Sequence, residues 1–170
     1  MRRIFLIGYM GAGKTTIGKI LAEKLNLSFI DTDFFIKNRY KKEITDIFAG
    51  EGEEKFRRIE QKILQEIIQK WENIVISTGG GTPCFFHNME LMNASGTTVY
   101  LKATIELLTE RLINMKCARP LIKDKSPEEI KYFVINNLAK RELFYNQASI
   151  VFFIKKMTMN DIIENLMPKI

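Results

Sequence analysis

Sulfur and imidazole ligands are scarce, with two cysteines and one histidine in 170 residues. Cys84 and Cys117 share no metal-ligand spacing and His87 alone could add a ring nitrogen, so a zinc centre is excluded and the thiols are expected to be buried or idle. No apolar stretch approaches the roughly 20 residues of a membrane span, and Met1-Arg2-Arg3 leads into a run too short for a signal peptide's apolar region. The expectation is a cytoplasmic protein with no membrane partner. There is no repeat and no tract rich in glycine, serine or proline, so no domain boundary is drawn and residues 1–170 read as a single domain. A chain of this size can bury roughly 70% of its unfolded surface around one core. Basic runs interleaved with aromatics are also missing. The formal charge of +6 is spread along the chain, often beside Glu or Asp, which suits small anionic ligands better than a nucleic-acid surface.

Short apolar runs bounded by turn residues recur at Ile4–Ile7, Phe29–Ile30, Ile74–Ile76, Thr98–Leu101 and Ile150–Ile154. Helical patterns fall between them at Lys14–Leu25, Glu53–Trp71, Ile105–Met115, Pro127–Tyr145 and Met159–Met167, with a shorter piece starting near Asp33. This alternation predicts an α/β fold with a parallel sheet covered on both faces. Lys116–Ser126, reading KCARPLIKDKS, holds a helix-breaking proline and many charges, and is either a lid or a solvated connection.

Residues 8–15, GYMGAGKT, follow a predicted strand and precede a predicted helix, in the spacing of a phosphate-binding loop. Backbone N–H groups of such a loop wrap the β- and γ-phosphates of a nucleotide, and the next helix points its positive end at them. Lys14 would reach the same oxygens as a point charge, and the Thr15 hydroxyl is placed for Mg²⁺ bridging those phosphates.

A phosphoryl acceptor needs groups of its own. Asp31-Thr32-Asp33 ends the second strand, at the edge where open α/β sheets bind ligands. One carboxylate suits a water on Mg²⁺ and the other an acceptor hydroxyl; alternatively, either caps the next helix. Gly79-Gly80-Gly81 follows the third strand and allows close approach of a ligand or makes a plain turn. Arg57 and Glu60 share a helical face, which in the plainest account is a surface ion pair. Phe34, Phe35 and Phe56 are expected to pack rather than touch a cofactor, although Phe56 stands beside Arg57.

In order along the chain, GYMGAGKTTIG, DTD, GEEKFRRIE, STGGG, ARPLI and KRELFY resemble the shikimate kinase family from end to end. The resemblance implies a P-loop kinase fold whose five-stranded parallel sheet runs in the order 2-3-1-4-5, with helices on both faces and a mobile lid at about residues 115–126. It implies Mg²⁺-dependent transfer of the γ-phosphoryl group of ATP to the 3-hydroxyl of shikimate, in the route to aromatic amino acids, by a protein expected to be a monomer. Gly11, Ala12, Gly13, Lys14, Thr15 and Thr16 would bind ATP. Asp33, Arg57, Gly79, Gly80, Gly81 and Arg141 would bind shikimate, with the two arginines on its carboxylate. Lys14, Asp33 and Arg119 would be catalytic, Arg119 as the lid arginine that also meets ATP. Thr15, and Asp31 through water, would hold Mg²⁺.

The family's usual RPLL is RPLI here, and no glycine follows Gly96, so the lid's hinge must use ordinary torsions. Arg111 receives no role. Relatives such as gluconate or nucleoside monophosphate kinases share the first loop, but would not be expected to combine DTD, FRxxE and TGGG. A nucleotide-switched module on nucleic acid is the reading from another class, and the scattered basic residues argue against it.

Overall fold

The structure, a computed structural model, describes residues 2–115, 122–155 and 157–170. Strands β1 (Arg3–Ile7), β2 (Ser28–Asp31), β3 (Ile74–Ser77), β4 (Thr97–Ala103) and β5 (Ile150–Ile154) form one sheet in the order β2-β3-β1-β4-β5. Every pairing is parallel, and β1 lies between β3 and β4, with Leu6 opposite Ser77 on one side and Val99 on the other. Ile4, Phe5, Leu6 and Ile7 are all fully buried. Successive strand side chains point to opposite faces, so burial at both parities means that both faces of β1 are covered. Each such side chain contributes about 1.5–3 kcal/mol through removal from water.

Seven α-helices are described: α1 (Lys14–Leu25), α2 (Thr32–Tyr40), α3 (Ile44–Lys70), α4 (Asn88–Ser95), α5 (Ile105–Asn114), α6 (Pro127–Tyr145) and α7 (Met159–Leu166). Helix α1 buries Ile17 and Leu21, four residues apart, as it packs along β1, β2 and β3. Helix α6 opens with a capping box in which the Ser126 hydroxyl accepts from the Glu129 N–H and the Glu129 carboxylate accepts from the Ser126 N–H. It then buries Ile130, Val134 and Leu138 at intervals of four. Helix α7 starts with the same device at Thr158 and Asp161.

The sheet order and the five strands match the sequence expectation, as do α1 and α6. Two differences have local causes. Helix α3 begins at Ile44, not Glu53, but its backbone leaves the helical region at Gly52 (φ 81°, ψ 167°), so Glu53 opens its second segment. The conformation at Gly52 is open essentially to glycine alone. Helix α4 was not expected: its eight residues have no side-chain cap at His87 and little periodic patterning, so nothing in the sequence marks its start.

The turn from β1 into the first loop is the tightest constraint on the sheet's functional edge. Gly8 has φ 137°, and a β-carbon there would lie 2.9 Å from the Leu101 carbonyl oxygen on β4. Gly8→Ala is therefore expected to destabilise the protein by about 1–3 kcal/mol. An unchanged urea midpoint for that variant would contradict this account of the turn.

Candidate active site

The carboxyl ends of β1, β2 and β3 deliver three loops to one edge of the sheet. Between them lies a cleft of about 900 Å³, lined by Gly11–Thr16, Asp31, Asp33, Arg57, Gly79–Gly81 and Arg141. Among the described residues, every ATP-side and acceptor-side residue expected from the sequence opens on this cleft. Arg119 and Cys117 lie outside the described residues, as do the other residues of 116–121 in the expected lid.

On the nucleotide side, Gly13 takes a left-handed conformation (φ 95°) and serves as the N-cap of α1. No side chain caps the helix there and its first turn holds no acidic residue, so the end of its dipole faces the cleft uncompensated. That is the arrangement which receives a phosphate. Lys14 is buried, and its Nζ donates to the carbonyls of Gly8 at 2.8 Å and Tyr9 at 3.1 Å, which hold the ammonium over the loop. Arg111 of α5, which carries no role in the sequence reading, donates from Nη1 to the carbonyls of Gly11 (2.9 Å) and Ala12 (3.2 Å). It fastens the loop to α5 and itself lines the cleft. With about a hundred residues between the partners, no local pattern could have indicated it.

Asp31 settles an alternative that the sequence leaves open. Its Oδ1 accepts from the backbone N–H groups of Asp33 and Phe34, capping α2, while its Oδ2 accepts from the Thr15 hydroxyl at 2.7 Å. The carboxylate therefore caps α2 with one oxygen and holds the Thr15 hydroxyl with the other. A threonine hydroxyl beside a carboxylate suits Mg²⁺, a hard cation that takes one or two protein oxygens and shares the rest with phosphates and water. Asp33 sits one residue into the first turn of α2, beside the glycine loop. A β-carbon on Gly79 would come within 2.8 Å of the Asp33 Oδ1 and 2.7 Å of the Glu60 Oε1, so glycine is needed there for packing.

The Arg57–Glu60 pair is buried, which corrects the surface ion pair of the plainest sequence account. Arg57 is 8% exposed and Glu60 3%. Periodicity could not reveal this, because the burial comes from the loop after β3 closing over this face of α3. Arg57 Nη1 donates to Glu60 Oε2 at 2.6 Å, and Nη2 and Nε donate to Glu53 at 3.0 and 3.3 Å. Burial works against the guanidinium's charge, yet the two carboxylates leave its pKa raised. Three rings enclose it, with Phe85 4.2 Å, Phe56 5.3 Å and Phe48 5.5 Å from the guanidinium carbon. Thus Phe56 both packs and lines the cleft.

Arg141 reaches the cleft from the last turns of α6, next to Gly80. Tyr145, one turn later and fully buried, donates its hydroxyl to the Gly80 carbonyl and fastens the glycine loop to α6. Cys84, half-buried behind this loop, has its thiol pushed up to about 11, chiefly by burial. It stays protonated at neutral pH, in line with the expected idle thiol.

A phosphate loop at the head of a helix and a pocket holding two arginines, joined in one cleft at the carboxyl edge of a parallel sheet, define a P-loop phosphotransferase. Residues 10–170 match the sequence model of the shikimate kinase family, and the chain belongs to that family. It is 99% identical to the shikimate kinase of Azobacteroides pseudotrichonymphae genomovar. CFP2 over 170 residues, 100% of each chain. It is 54% identical to that of Parabacteroides distasonis, covering 100% of this chain and 99% of the relative. Among solved structures, shikimate kinase from Bacteroides thetaiotaomicron superposes with a TM-score of 0.94 at 43% identity, over 99% of this chain and 97% of the other. The Acinetobacter baumannii shikimate kinase, solved in complex with shikimate, superposes with a TM-score of 0.87 at 32% identity, over 99% and 92%.

Removing Glu60 would leave Arg57 charged and buried with only Glu53 beside it, and would also take the acceptor from the Thr82 hydroxyl, which donates to Glu60 at 2.7 Å. Glu60→Ala is expected to cost about 3–5 kcal/mol. Equilibrium unfolding checks this, and a loss no larger than that of an exposed pair would mean that the buried carboxylate is dispensable.

Proposed function

We propose that this chain transfers the γ-phosphoryl group of ATP to the 3-hydroxyl of shikimate, releasing shikimate 3-phosphate and ADP. The observation that carries the reading is the single cleft in which the phosphate loop faces Asp33, Arg57 and Arg141. Membership of the shikimate kinase family supports the same substrates.

In this reading the backbone of Gly11, Ala12 and Gly13 and the first turn of α1, with Thr15 and Thr16, cradle the phosphates of ATP. Lys14 exchanges its hold on the loop carbonyls for the phosphate oxygens and stabilises charge as the γ-phosphoryl group moves. Thr15, and Asp31 through water, hold Mg²⁺, which when bound offsets phosphate charge. Asp33 accepts a hydrogen bond from the attacking hydroxyl and orients it in line with the phosphorus. Arg57 and Arg141 hold the carboxylate of shikimate, and the backbone of Gly79–Gly81 lets its ring lie close to the sheet edge. Arg119 closes over the transferring group from a lid at about residues 115–126, where the exclusion of water stops it competing as acceptor. The chemistry asks for positioning and charge stabilisation more than for covalent help from the protein.

The protein works in this reading as a single-domain cytoplasmic monomer without a nucleic-acid partner. No helix among the described residues is long and apolar enough to cross a membrane.

The test is ADP release with ATP and Mg²⁺, comparing shikimate with gluconate, AMP and no acceptor. Release that depends on shikimate alone is expected; release with another acceptor, or with none, would sink the assignment. Lys14→Ala should lower kcat by about 10²–10³-fold with little change in shikimate affinity. Arg57→Ala should weaken shikimate binding and leave ATP binding largely intact. Unchanged shikimate affinity in that variant would mean that its carboxylate binds elsewhere.

A further inference from the structure

The two arginines facing the acceptor are held by opposite means. Arg57 is paired with two carboxylates, at 2.6 and 3.0 Å. Arg141 forms no ion pair among the described residues, and the neighbouring carboxylate, Glu142, is turned to Lys102 at 2.6 Å. What lies against Arg141 instead is aromatic. The ring of Tyr9 faces its guanidinium carbon at 5.5 Å, and the buried phenol of Tyr145 lies on another side, within hydrogen-bonding reach of it.

Tyr9 is itself unusual. Although it belongs to the phosphate loop, its side chain is only 1% exposed. Its main-chain carbonyl accepts from Lys14 Nζ at 3.1 Å and from the Ala12 N–H at 3.2 Å, so the residue is fixed by the nucleotide side of the cleft. Its hydroxyl is buried and has no hydrogen-bond partner among the described residues. A buried orphan hydroxyl is a net cost, so what the residue contributes must come from its ring.

A carboxylate in the place of that ring would neutralise Arg141 and compete with an incoming anion. A ring face attracts the cation through its quadrupole without using an N–H donor. The guanidinium is thereby steadied on the Tyr9 side with its charge kept for the ligand. We infer that Tyr9 is a positioning residue for the acceptor, its ring holding Arg141 in line for the acceptor's carboxylate while its backbone is anchored by the phosphate loop. One residue then spans both substrate sites. The inference rests on the reading of Arg141 as a carboxylate anchor.

Steady-state kinetics of the full chain test it with Tyr9→Leu, Tyr9→Phe, Arg141→Met and the double variant Tyr9→Leu/Arg141→Met. Losing the ring should raise the KM for shikimate about three- to thirtyfold, the range of a partly desolvated cation–π contact, and leave the KM for ATP much less affected. Tyr9→Phe should keep the low shikimate KM and melt at a higher temperature, since it removes only the orphan hydroxyl. In the Arg141→Met background, Tyr9→Leu should have no further effect on that KM. Should Tyr9→Leu not fold, Tyr9→Met removes the ring face at a more similar volume and takes its place.

Equal rises in both KM values, or a full effect of Tyr9→Leu in the Arg141→Met background, would overturn the positioning role. So would a Tyr9→Leu enzyme with unchanged shikimate KM when Arg141→Met raises it. If Arg141→Met itself leaves that KM unchanged, the carboxylate anchor is misassigned and the inference falls with it.

Discussion

Glu60 spends both of its carboxylate oxygens inside the protein, one on the Arg57 guanidinium and the other on the Thr82 hydroxyl. Through this carboxylate, α3 is joined to the segment that follows the glycine loop. The connection continues, because the Thr82 carbonyl accepts from the Asn88 side chain and so ties in the start of α4. On the other side, the Gly79 N–H donates to the Thr32 hydroxyl at the start of α2. The loop after β3, which the parallel sheet merely brings to its edge, is thus locked to α2, α3 and α4 by polar contacts in a dry environment. Such contacts are costly to break because each leaves a buried group unsatisfied.

The same logic divides the cleft's positive charges into two kinds. Arg57 has its charge largely spent within the protein, and its place is set by carboxylates and three rings. Arg141 has no ion pair among the described residues, and the end of α1 has no capping side chain. Lys14 is intermediate, since carbonyl oxygens, which carry no net charge, hold it. In a site built in this way part of the positive charge is compensated within the protein and part is not.

Much of this could be read from the sequence because the informative features were local. The phosphate loop has a fixed spacing, strand and helix periods are short, and DTD and TGGG sit at strand ends where a parallel sheet must place them. The unread parts depend on distant contacts. That Asp31 serves as helix cap and as partner of Thr15 together follows from two oxygens pointing in different directions, which no spacing encodes. Arg57 and Glu60 resemble any exposed pair three apart on a helix until the glycine loop covers them. Arg111 acts on a loop at the other end of the chain, and α4 starts without a capping side chain. In the first part of α3, two glycines conceal a helix that the backbone does form, broken only at Gly52.

That break at Gly52 divides the side of the cleft formed by α3 into two segments. Arg57 and Glu60 lie beyond it, on the segment locked to the glycine loop, whereas Ile44, Thr45 and Phe48 line the cleft from the segment before it. The two segments meet again through their side chains, since the Phe48 ring lies 4.5 Å from that of Phe56 and 5.5 Å from the Arg57 guanidinium carbon. In an unbroken helix, residues eight apart stand about 12 Å apart along the axis. The bend therefore folds the apolar wall of the cleft back onto its buried charges.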